Sequence, residues 1–128
     1  MLGRPTHRIV AAGPGIVNPE PLEPGELVAR PLRGLVLDHT LGGCSPAVDD
    51  ALVRHRLTGP GGSVELWADP DFRWVQVFTP DDHPGRGRAV AIEPMTCPPD
   101  ALNSGTDLIG LQPDATWSGS WGLRPLPG

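Results

Sequence analysis

The chain has 128 residues, with 10 basic against 15 acidic side chains and a formal net charge of -5. That length fits one domain with room for a buried core, and every basic residue is an arginine. The arginines are scattered along the sequence, so no basic stripe marks a nucleic-acid or anionic-membrane surface, and no run approaches the roughly 20 apolar residues of a membrane span. The opening "MLGRPTHRIVAAG" lacks the apolar core of a secretory signal, so the expected compartment is the cytoplasm.

The 17 glycines and 17 prolines concentrate turn punctuation in "GPGIVNPEPLEPGE". Residues 1–34 are therefore expected to be a weakly structured lead-in with one or two short strands. From there, "LVARPL", "GLVLDHTL" and "ALVRHRLTG" read as short strands separated by Gly and Pro. "SVELWADP" and "RWVQVFTPDD" are β-branched and aromatic runs joined by Asp69, Pro70 and Asp71, and this turn chemistry predicts an antiparallel hairpin. "AVAIEPM", "TDLIGLQP" and "ATWSGSWGL" follow as further strands, and no stretch of ten residues carries a helical period with caps. Short strands with regular turns between them predict an all-β antiparallel sandwich over residues 35–124 and a tail at 125–128. A sheet system with unpaired strands exposes an edge, so self-association through an open sheet edge is expected. Cys44 and Cys97 show neither CxxC spacing nor a dense framework, so free thiols are expected.

Strand alternation decides which side chains share a face. In "RWVQVFT", Trp74, Gln76 and Phe78 lie on one side and Val75, Val77 and Thr79 on the other. An amide between two rings suits a sugar, whose C–H face stacks on aromatics while its hydroxyls need donors and acceptors; it equally suits the solvent face of a half-exposed sheet. In "AVAIEPM", Ala89, Ala91, Glu93 and Met95 share a face. Pro94 cannot donate to a ladder and keeps Glu93 extended, so the strand is expected to end there with the carboxylate at a rim. A solvated glutamate at a strand end fits the same pattern. Asp38 precedes His39 in "LVLDHTLGG"; it can orient a hydroxyl or start the turn at residues 41–43. His7, His55 and His83 stand in unrelated contexts, and no metal-binding, phosphate-cradling or nucleophile-elbow motif is present.

"VLDHT", "VELWADPDFRWVQVFTPD" and "AVAIEPMTCPPDALNSG", in this order and followed by "LQPDATWSGSWGL", resemble the carboxyl-terminal part of the aldose 1-epimerase (galactose mutarotase) family. The likeness covers roughly residues 35–123. It implies a portion of a large antiparallel β-supersandwich and an activity that interconverts the α and β anomers of free hexoses of the glucose or galactose type, with no metal or cofactor. It further implies that Glu93 is the base that takes the anomeric proton, and that Gln76 and Asp38 hydrogen-bond sugar hydroxyls. In the family the general acid is a histidine in an "HPY"-like motif in the preceding half, accompanied by a second histidine and an arginine. Those motifs are absent from this chain, so the resemblance implies a truncated portion whose proton donor lies elsewhere, with a non-catalytic sugar-binding remnant as the alternative.

Overall fold

The computed structural model describes residues 32–127 in full and the backbone of residues 8–9. These residues form two antiparallel sheets and almost no helix. Strand β1 (Arg8–Ile9), β2 (Asp38–Gly42), β5 (Trp74–Phe78) and β6 (Ala91–Met95) make one sheet in the order β1-β2-β5-β6. Strands β3 (Val53–Gly59), β4 (Gly62–Ala68) and β7 (Trp121–Leu126) make the other in the order β3-β4-β7, and one helical turn, α1 (Ala101–Ser104), follows β6. An all-β sandwich is thus what the strand patterns build. The expected strand in "LVARPL" lies outside the described residues except for Leu32, as does most of the lead-in. The last strand runs to Leu126, beyond the boundary drawn at residue 124.

The two sheets meet over apolar side chains supplied by alternate positions. Leu37, Leu41, Val75 and Val77 pack with Cys44 and with Val53 of the second sheet; Leu66, Ala68 and Phe72 form an adjoining cluster, and Ile92 packs against both. Burying each of the larger side chains is worth about 1.5–3 kcal/mol. Thr79, just past β5, seals one end of this core: its hydroxyl accepts from the Leu37 amide at 2.8 Å, and its own amide donates to the Leu37 carbonyl at 2.9 Å. The alternation expected for "RWVQVFT" therefore holds, with Val75, Val77 and Thr79 all buried.

The predicted hairpin through Asp69, Pro70 and Asp71 does not form. β4 pairs with β3 and β7, while β5 pairs with β2 and β6, so residues 69–73 carry the chain from one sheet to the other. Turn residues permit a reversal but do not choose its partner. Asp69 extends the β4–β7 ladder, its amide donating to the Ser120 carbonyl at 2.9 Å while its carboxylate accepts from the Ser120 amide at 2.7 Å. Phe72 then drops into the core. The tight hairpin is instead β3–β4, whose register closes Gly59 against Gly62 across Pro60 and Gly61; Gly62 has a φ of 124°, open only to glycine at low cost.

Two other expectations are corrected. "TDLIGLQP" is not a strand: Asp107 and Asp114 have positive φ, which breaks an extended run, and Leu108, Ile109 and Leu111 remain exposed. "ATWSGSWGL" becomes strand only from Trp121 onward. Trp121 and Leu123 pair with Ala68 and Leu66, on the face that β4 turns to the core, yet are 55 % and 64 % exposed.

The outer face of the second sheet holds a charge cluster. Glu65, in the middle strand, is 1 % exposed and receives Arg54 at 2.8 Å, Arg56 at 3.0 Å and Arg124 at 2.6 Å. Arg54 also grips Asp50 at 2.6 Å. Arginines far apart in sequence are thus gathered on one carboxylate by the register that sets Arg56 and Arg124 on either side of Glu65.

Both cysteines are free. Cys44 is buried, and desolvation pushes its thiol up to about 12 despite a hydrogen bond to the backbone. A water-soluble disulfide reagent at pH 8 should therefore modify one thiol of the native protein, Cys97, and reach Cys44 only in denaturant, since the thiolate is the reacting species. Two equally fast thiols in native buffer would show that the core around Cys44 is open.

Candidate functional site

The face of the first sheet turned away from the core carries the residues singled out above. Antiparallel partners standing opposite one another share a face, and the register of β2, β5 and β6 arranges three rows. Trp74 and Met95 form the first, with Gly42 against the Trp74 ring; Thr40, Gln76 and Glu93 the second; Asp38, Phe78 and Ala91 the third. Asp38, Gln76 and Glu93, which are 55 positions apart at the extremes of the sequence span, therefore stand on one surface. Pro94 does not end the strand as expected: β6 continues to Met95 with Pro94 opposite Val75. It is tolerated because β6 is an edge of the sheet among the described residues, where a missing N–H on the outer side breaks no ladder bond. The carboxylate of Glu93 is exposed at that edge.

Gln76 is held from two sides. Its Nε2 donates to Asp38 Oδ1 at 2.7 Å, and its Oε1 accepts from the Thr40 hydroxyl. Thr40 is buried and was not singled out in the sequence, although its place two residues after Asp38 puts it on the same face. Trp74 forms the wall beside this row. Its six-membered ring packs against Gly42, and its Nε1 donates to Asp107 Oδ2 at 2.8 Å while Arg73 reaches the other carboxylate oxygen at 3.1 Å. Asp107 adopts a left-handed conformation at φ 49°, which a short polar side chain tolerates, and it anchors the segment after α1 to the site.

A Cβ at Gly42 would stand 2.6 Å from Trp74 Cζ3. Gly42→Ala should therefore displace the indole, break its bond to Asp107 and cost about 1–3 kcal/mol. The check is near-ultraviolet circular dichroism together with the thermal midpoint; an unchanged aromatic spectrum would mean that the ring is not seated on the glycine.

Histidines lie elsewhere. His39 is fully buried on the opposite face of β2, across from Val77, with its Nδ1 accepting from the Asp38 amide at 3.1 Å. His55 belongs to the other sheet and His83 to the loop after β5; His7 lies outside the described residues. Among the described residues no group of three or more His, Cys, Asp or Glu side chains is placed to hold a metal ion, and no helix is long and apolar enough to cross a membrane. The face thus offers two carboxylates as acceptors, one amide N–H as donor, and aromatic surface from Phe78, while Trp74 is buried beside it. That set can hydrogen-bond hydroxyl groups, and Glu93 can accept a proton from one of them.

No protein-family model matches the chain, and no solved structure matches it. Over 84 residues it is 32 % identical to the uncharacterized protein YihR of Escherichia coli (strain K12), a match that takes in 66 % of this chain and 25 % of that protein. The chain spans about a quarter of the length of the curated relative it matches.

Proposed function

We propose that this chain is an aldose 1-epimerase-like protein, built as part of a galactose mutarotase-like supersandwich, whose site receives a free hexose. The observation that carries this reading is the common face of Asp38, Gln76 and Glu93, with Gln76 directly opposite Glu93 across β5 and β6 and bonded to Asp38. In the reaction, Glu93 takes the proton of the anomeric hydroxyl while a donor that this face does not supply, a group of another segment or solvent water, protonates the ring oxygen. The C1–O5 bond opens, the C1–C2 bond turns, and the ring recloses on the other face of the aldehyde. Asp38 and Gln76 hydrogen-bond sugar hydroxyls beside the reacting carbon, and no metal or cofactor is required.

The second reading is a sugar-binding site without turnover. It is favoured by the position of His39, whose burial on the opposite face of β2 removes it as the donor to the ring oxygen. Polarimetry on freshly dissolved α-D-glucose and α-D-galactose separates the two. Mutarotation above the buffer rate supports the first; sugar-dependent quenching of tryptophan fluorescence without acceleration supports the second. A flat response in both experiments rejects sugar as the ligand.

A further inference from the structure

We propose that Thr40, acting through the Gln76 amide, fixes the hydrogen-bonding polarity of this face and so selects a neutral ligand edge that carries two neighbouring hydroxyl groups. The inference rests on the sugar-binding reading and names the part of the sugar that the site accepts.

A glutamine amide has one acceptor end and one donor end, and rotation about its last bond exchanges them. Here both ends are committed. A carboxylate offers acceptors only, so Asp38 draws the Nε2 end toward itself at 2.7 Å. The Thr40 hydroxyl then donates to the carbonyl end, and because Thr40 is 5 % exposed its oxygen is withdrawn from any ligand. What Gln76 presents to an incoming molecule is its second N–H. Glu93, facing it from the edge strand, presents acceptors. The surface therefore reads acceptor, donor, acceptor through Asp38, Gln76 and Glu93.

Its complement is a pair of adjacent hydroxyls: one donates to Asp38, the other donates to Glu93, and one of the two oxygens receives the Gln76 N–H. A deoxy compound lacking either hydroxyl leaves a carboxylate without its donor. An anionic edge, such as a carboxylate, meets two like charges and is refused. Thr40 is a positioning residue in this arrangement: it touches no ligand and acts by occupying the Gln76 carbonyl.

Thr40→Val keeps the shape and removes the hydroxyl, while Thr40→Ser keeps the hydroxyl. With D-galactose and D-glucose as probes, read by tryptophan fluorescence, the valine variant should bind about tenfold more weakly, the equivalent of one lost hydrogen bond. The serine variant should stay within about twofold of the parent, and 2-deoxy-D-galactose, which lacks the hydroxyl next to the anomeric one, should compete about tenfold more weakly than D-galactose. Equal affinities for all three proteins, or 2-deoxy-D-galactose binding as tightly as D-galactose, would overturn the proposal. A parent protein that binds neither sugar would reject the sugar-binding reading, and the Thr40 assignment is then read in the ligand-free protein. The Gln76 side-chain amide signals in ¹H–¹⁵N spectra should shift in Thr40→Val and hold in Thr40→Ser, and signals unmoved in both would overturn it.

Discussion

Replacing Glu65 with glutamine should lower the stability of the fold by about 2–4 kcal/mol. Removing one partner from a buried ion pair commonly costs about 3–5 kcal/mol, because the charge left behind has no counter-ion. Glu65 serves three arginines at once, but those guanidinium groups reach water and can rehydrate, which shifts the cost about 1 kcal/mol below that range. Arg124→Gln should cost under about 1 kcal/mol, since the Arg124 side chain is 55 % exposed. Chemical denaturation of both variants checks the contrast; equal losses would mean that the buried carboxylate is not the centre of the cluster.

The same cluster sets an acid limit. Burial alone would raise the Glu65 carboxyl, but hydrogen bonds from Arg56 and Arg54 and the charge of Arg124 outweigh it and leave the group below its ordinary value of 4.5. The hydrogen bond from Arg54 likewise lowers Asp50 from 3.8 to about 2. Groups lowered by folding stabilise the protein above their unfolded values, and that stability is lost as the pH falls through the folded ones. The denaturation midpoint should therefore be flat above about pH 5 and fall between about pH 4.5 and 2, and Glu65→Gln should flatten the upper part of that decline.

Glu93→Gln should abolish the base function at the candidate site. A well-placed proton-transfer group contributes about 10²- to 10⁴-fold to rate. If the parent protein accelerates mutarotation, the variant should lose the larger part of that factor while sugar affinity changes little, because an amide oxygen still accepts a hydroxyl proton in a hydrogen bond. Glu93 is exposed, so the variant should keep the parent's thermal midpoint. A variant as fast as the parent would remove Glu93 from the chemistry.

Which features could be read from sequence follows from the range of the physics involved. Alternation is local, and it correctly separates Val75, Val77 and Thr79 from the face that carries Gln76. Partner choice is not local. The run from Asp69 to Asp71 has the composition of a hairpin turn, yet the pairing of Asp69 with Ser120 and the burial of Phe72 send β5 into the other sheet. The gathering of Arg54, Arg56 and Arg124 on Glu65 was hidden for the same reason, because Arg124 lies 59 residues from its partner. Asp38, Gln76 and Glu93 were singled out by residue type, strand position and family likeness. That they share a face depends on the strand order β2-β5-β6, which no local pattern encodes. Thr40 carries no signal in the sequence, because a threonine in a strand is ordinary by propensity; only its partner across the sheet gives it a part.

Glu93 stands on the last strand of its sheet among the described residues. Opposed side chains on adjacent strands come within about 5 Å of one another, so any polypeptide laid along the outer side of β6 would add a fourth column to the grid and set its own residues beside this carboxylate. What Glu93 can do to a bound molecule is then decided as much by its neighbour across that margin as by Gln76 behind it.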